Sequence, residues 1–170
     1  IENKIKALNI NDFYICSLST ETIVYKGMFL AEQLSEFYTD LLDPDFKSKF
    51  AIYHQRYSTN TFPTWSLAQP FRVLAHNGEI NTLKGNINWM SAHEPRITHP
   101  FFNERINDLK PILDSDASDS ASLDGAFELL VQTDRDMPMA KSMIIPEAWS
   151  NRSDISEKLK DMYAYCNAVI

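Results

Sequence analysis

Two apolar runs, FAIYHQRY beginning at Phe50 and FRVLAH beginning at Phe71, each break off into a polar cluster. The first ends in His54-Gln55-Arg56-Tyr57-Ser58-Thr59-Asn60 and the second in His76-Asn77-Gly78-Glu79. Runs of this length, rich in aromatic and β-branched residues, read as strands, and the Thr59, Asn60, Pro63 and Pro70 between them read as a loop. Polar side chains at the end of a strand are held by a rigid scaffold where the chain enters a loop, a common place for binding and catalytic groups. A third run at 13–27, FYICSLSTETIVYKG, has the same character with a polar Ser19-Thr20-Glu21 break, and it reads as a hairpin.

The remaining apolar residues recur at helical spacing. Leu30, Leu34, Phe37 and Leu41 predict a helix over 30–42, closed by Pro44. Leu83, Ile87 and Met90 predict one after Gly78, ended by Pro95. Leu123, Phe127 and Leu130 predict a third after the acidic, serine-rich run DSDASDSASLD. A fourth starts near Pro138 and stops at Pro146, and the last runs from about Ser153 through Ile155, Leu159, Met162 and Cys166.

Composition excludes several classes of function. With 44% apolar and 23% charged residues in a chain of 170, this is the range of one globular domain. No apolar stretch approaches a membrane span, and no basic start precedes an apolar run, so the sequence reads as cytoplasmic, or as plastid protein if from a photosynthetic eukaryote. A net charge of −7 repels a phosphate backbone, so nucleic acid is not an expected partner. Cys16 and Cys166 lie in separate elements with no CxxC and no histidine at ligand spacing, and both read as buried free thiols. Only four glycines occur, where average usage gives about twelve. Neither end reads as a natural terminus, since the last helical face runs to Asn167-Ala168-Val169-Ile170 without a cap or polar tail; the expectation is an internal fragment, residues 1–170, of one domain.

Four positions offer chemistry, each with a plainer alternative. Arg56 presents a planar fork of donors that matches a carboxylate, and it equally suits a surface ion pair. Asn77 and Gly78 can direct a side-chain NH2 and a backbone N–H at one spot, as an oxyanion hole requires, yet Asn-Gly is also a common tight-turn dipeptide. Asp119, in Ser118-Asp119-Ser120 just before a helix, can pair with an ammonium or serve only as an N-cap. The acidic run fails as a calcium loop, with Asp119 at its sixth position and Gly125 at its twelfth. No HxxxH, HExxH, Gly-x-Ser-x-Gly or phosphate-binding glycine loop occurs, so no metal, serine-hydrolase or nucleotide chemistry is expected.

The strings HQRYSTNTFPTW, AHNGEINTLKGN, SDSASLD and MIIPEAW, in this order, resemble the class II glutamine amidotransferase domain of glutamate synthases, and FYICSLS and TIVYKGM extend the resemblance over nearly the whole chain. HNGEINTLKGN and the extended RYSTNTFPTW point to the glutamate synthase branch. The resemblance implies an α+β fold, a four-layer αββα sandwich of the N-terminal-nucleophile hydrolase type, here as a partial domain lacking its first strands. By position, Arg56 resembles the residue that binds the glutamine carboxylate, Asn77 and Gly78 the oxyanion-hole pair, and Asp119 the residue that takes the α-ammonium. Thr59 and Asn60 match the loop beside the arginine.

One departure matters. The family attacks with the thiol of its first mature residue, whereas residue 1 here is isoleucine and Cys16 matches a core strand. The fragment alone is therefore expected to be inactive. In the full enzyme the resemblance implies hydrolysis of L-glutamine to glutamate and ammonia, and transfer of that ammonia to 2-oxoglutarate by other domains. FMN and an iron-sulfur cluster are expected there and no cofactor in this segment. Electrons are expected from a nicotinamide-dependent small subunit or from ferredoxin. The competing expectations are another class II amidotransferase, a module that senses glutamine without cleaving it, and an isolated piece with exposed sheet edges that simply associates.

Overall fold

A computed structural model describes residues 1–55, 62–114 and 117–169. They fall into two units, Ile1–Glu79 and Ile80–Ile170, which are built differently.

The first unit has little regular structure. Helix α1 (Glu2–Lys6) carries Glu2 in its first turn and Lys4 and Lys6 near its end, the charge order that suits a helix dipole. Glu2 Oε1 accepts the Ile15 backbone N–H at 2.7 Å and pairs with the Arg72 guanidinium, whose Nε donates to the Ile15 carbonyl at 2.9 Å. Both polar groups of Ile15, which a hairpin would pair across its strands, are thus satisfied by side chains. The Val24 N–H likewise goes to Ser17 Oγ at 3.1 Å. In the Phe71 run, the Phe71 N–H closes on the Leu74 carbonyl at 2.8 Å, and that of His76 goes to Gln69 Oε1 at 3.3 Å.

These bonds correct the expectation of strands. The hairpin over 13–27 and the run from Phe71 are extended or bent, and no strand ladder forms among the described residues. Strand propensity expresses packing against neighbours on a pleated surface. Here that packing is missing, since Ile23 is 58% and Phe50 73% exposed. The two stacked sheets of the expected sandwich are accordingly not seen among the described residues.

Phe71 and Lys26 form the buried heart of this unit. Lys26 Nζ donates to the Ser66 carbonyl at 3.1 Å and lies 4.5 Å and 4.6 Å from the ring centres of Phe71 and Tyr14. A cation desolvated between two aromatic faces gains about 2 kcal/mol, which makes burial of an ammonium tolerable. Beside it, the rings of Tyr25, Phe29, Phe37, Tyr38 and Phe46 stack edge to face or tilted. The helix expected over 30–42 is divided into α2 (Gln33–Phe37) and a 3-10 turn, Thr39–Leu42. Tyr38 leaves helical dihedrals between them, and its hydroxyl donates to the Lys26 carbonyl at 2.7 Å. The Tyr25 hydroxyl bonds the Asp40 carboxylate, and that bond pushes the phenol up to about 12.

The second unit is helical, close to expectation. Helix α3 (Leu83–His93) passes into a 3-10 turn, Glu94–Arg96, at Pro95. Helix α4 (Asp119–Gln132) is capped by Ser118, whose Oγ accepts the Ala121 N–H. Helix α5 (Met137–Ile144) is capped in the same way by Asp136, with Pro138 in its first turn. It packs against α4 and against α6 (Glu157–Val169). Ala140, 0% exposed, brings the backbones close, and Phe127, Tyr163 and Cys166 complete the core. Cys166 is buried as a free thiol, whereas Cys16 is only half-buried. Arg152 pairs with Glu147 and Asp154, and its hydrogen bond holds the Asp154 carboxyl down at about 2.

Candidate functional site

The run from Phe71 ends in a bend that presents Asn77 and Gly78 to solvent. Asn77 Oδ1 lies 2.8 Å from His54 Nε2. An amide oxygen only accepts, so the imidazole donates through Nε2–H, and the Asn77 NH2 becomes the outward end. Gly78 has no positive φ, nor does Asn77. Asn77 and Gly78 therefore do not form a type I′ hairpin turn, which requires the left-handed region at both central positions. A Cβ at Gly78 would sit 3.1 Å from His76 Cε1 and Nε2, so a side chain there would require the imidazole to shift by a few tenths of an ångström. His54, His76, Asn77 and Gln69 line a cavity of about 210 Å3 with Ile52 and Pro70. A larger hollow of about 700 Å3 beside Phe101 and Arg105, in the other unit, gathers none of the expected site residues.

Asp119 is the first residue of α4, and Ser118 takes the cap. The simple N-cap alternative for Asp119 is therefore not what forms. Its Oδ1 accepts the Ser120 N–H at 2.6 Å and the Ser120 hydroxyl at 3.2 Å, while Oδ2 accepts the Ile80 N–H at 2.8 Å. A carboxylate offers about four lone-pair sites, so these three donors fix its plane and leave one site on Oδ2 for a further donor.

Arg56, Thr59 and Asn60 lie outside the described residues. Among the described residues no three of His, Cys, Asp and Glu group at metal-ligand distances, and no helix is long and apolar enough to cross a membrane.

The sequence pattern of the class-II glutamine amidotransferases matches residues 1–170. The chain belongs to that family. Among its curated relatives, this glutamine amidotransferase chain is 59% identical over 170 residues to the large chain of the NADPH glutamate synthase of Azospirillum brasilense, covering 100% of this chain and 11% of the relative. It is 50% identical over 157 residues to the ferredoxin-dependent glutamate synthase of Pyropia yezoensis, covering 91% and 10%. With the large chain of the NADPH glutamate synthase of Bacillus subtilis the figures are 49% over 159 residues, 94% and 10%. The chain thus spans about a tenth of the length of these relatives.

Two contacts of this amidotransferase chain were not legible beforehand. His54 stood in the polar cluster without a role, and its pairing with Asn77 spans 23 residues. The Ile80 N–H, a backbone group, leaves no trace in residue types at all.

Proposed function

We propose that this chain forms the glutamine pocket of a glutamate synthase, a reading carried by the 59% identity over all 170 residues to the Azospirillum large chain. Arg56 takes the glutamine carboxylate with its paired donors, and Asp119 takes the α-ammonium on the open Oδ2 site. Thr59 and Asn60 shape the pocket beside the arginine. The side-chain amide then meets Asn77 Nδ2 and the Gly78 N–H.

A cysteine thiolate attacks the amide carbon, the C–N bond breaks, and nitrogen leaves as ammonia with a transferred proton. Water then cleaves the thioester to glutamate. Asn77 and Gly78 stabilise the negative charge that appears on oxygen only in the tetrahedral transition state, so they accelerate the step rather than tighten binding. On this reading Arg56 and Asp119 serve recognition, and Asn77 and Gly78 serve catalysis. Neither Ile1, whose side chain carries no nucleophilic atom, nor Cys16, in an apolar run of sequence, is assigned the attack. The ammonia aminates 2-oxoglutarate in the remaining domains of the large subunit, where FMN and an iron-sulfur cluster supply the redox chemistry. Electrons come from a nicotinamide-dependent small subunit or from ferredoxin. The compartment assigned is the cytoplasm, or the plastid in a photosynthetic eukaryote.

Kinetics of the full-length synthase test this division. Arg56→Lys should raise KM for glutamine with little change in kcat, whereas Asn77→Ala should lower kcat about a hundredfold to a thousandfold. Equal losses of kcat in both variants would count against the assigned roles. Calorimetry with glutamine alongside an ammonia assay separates hydrolysis from sensing without cleavage.

A further inference from the structure

We infer that His54 is a positioning residue for the oxyanion hole, acting through Asn77. The inference rests on the role proposed above for Asn77 and adds a group that the role by itself does not name.

The geometry is direct. His54 Nε2 and Asn77 Oδ1 are 2.8 Å apart, a full-strength hydrogen bond between side chains 23 residues apart in sequence. A carboxamide is nearly symmetric in shape, with a donor end and an acceptor end that differ only by which way the group is turned. Turned one way, Asn77 offers two N–H bonds to a developing oxyanion. Turned the other way, it offers the lone pairs of Oδ1, which repel that charge. Both residues are exposed, so packing does not select the rotamer. The imidazole does when its proton is on Nε2, because Nε2–H then satisfies Oδ1 and leaves NH2 outward. A donor on the amide oxygen also polarises the group, so that the N–H bonds opposite become stronger donors.

The device acts on one step only. The ground-state amide of glutamine binds through its charged termini, which His54 does not touch. The loss on removing the imidazole is therefore confined to the barrier. One exposed hydrogen bond corresponds to a population shift of roughly three- to tenfold.

The test is a double-mutant cycle on the full-length synthase with glutamine as substrate. His54→Ala should lower kcat about three- to tenfold with KM changed less than twofold. His54→Gln, which retains a side-chain N–H, should recover most of that loss. In the Asn77→Ala background, His54→Ala should cause no further loss, because there is no amide left to orient. Should the alanine variant not accumulate as folded protein, His54→Phe keeps the ring and removes the donor, with the same expectation. An equal loss from His54→Ala in both backgrounds overturns the inference, as does an effect on KM alone or a His54→Ala enzyme at full rate. These outcomes leave the role of Asn77 standing if Asn77→Ala alone depresses kcat. An Asn77→Ala enzyme that turns over normally overturns the parent reading and this one together.

Discussion

Asp119 Oδ2 accepts the backbone N–H of Ile80 at 2.8 Å across 39 residues of sequence, and this bond orients the carboxylate at the head of α4. With Ser120 holding Oδ1, the side chain has one rotamer and one open acceptor site. A hydrogen bond to a charged group contributes about 1.5–3 kcal/mol. Asp119→Asn in the full-length enzyme should therefore raise KM for glutamine about ten- to hundredfold, with kcat changed less than about threefold. Steady-state kinetics check it, and an unchanged KM would remove Asp119 from substrate binding.

Tyr25 gives a pH signature. The hydrogen bond to Asp40, with burial and the Asp40 charge adding to it, moves the phenol from its ordinary 10.0 up to about 12. A raised value means that the folded state holds the proton more tightly than the unfolded chain. The stabilisation is complete below pH 10 and is lost as pH rises from there through 12. The Tyr25 Cζ chemical shift should titrate late, and Asp40→Asn should return it towards 10. Titration together with the other tyrosines in the parent protein would show that the bond is not kept in solution.

Gly85 lies inside α3, with nothing within 4 Å of an added Cβ and no positive φ. Glycine within a helix costs about 0.5–1 kcal/mol relative to alanine. Gly85→Ala should slow amide exchange across Leu83–His93 about two- to fivefold. Faster exchange would mean that another part of the protein needs this space.

Arg72 makes two kinds of contact at once, an ion pair with Glu2 and a donor to the Ile15 carbonyl, while its guanidinium lies 4.6 Å from the Tyr14 ring centre. A lysine ammonium keeps the charge and loses the fork and the stacking. Arg72→Lys should cost about 1 kcal/mol locally, read as roughly fivefold faster exchange of the Ile15 amide. Unchanged exchange would show that Glu2 alone holds this segment.

The sequence by itself determined the family and the helices of the second unit. Helical spacing of Leu123, Phe127 and Leu130 and the prolines at 95, 138 and 146 are local signals, and a helix satisfies its own backbone within a few residues. It also singled out Asn77, Gly78 and Asp119, because their chemistry is written in residue type. Tertiary structure decided the rest. Whether FYICSLS and FRVLAH become strands depends on partners elsewhere in the chain, and in this structure side chains such as Glu2, Arg72, Ser17 and Gln69 take the backbone groups that a sheet would use. The end of the Asn77 amide that faces outward, and the direction of the Asp119 carboxylate, are likewise set by groups 23 and 39 residues away. Local pattern carries no record of such distances, because a hydrogen bond between remote residues is a property of how the chain closes in space.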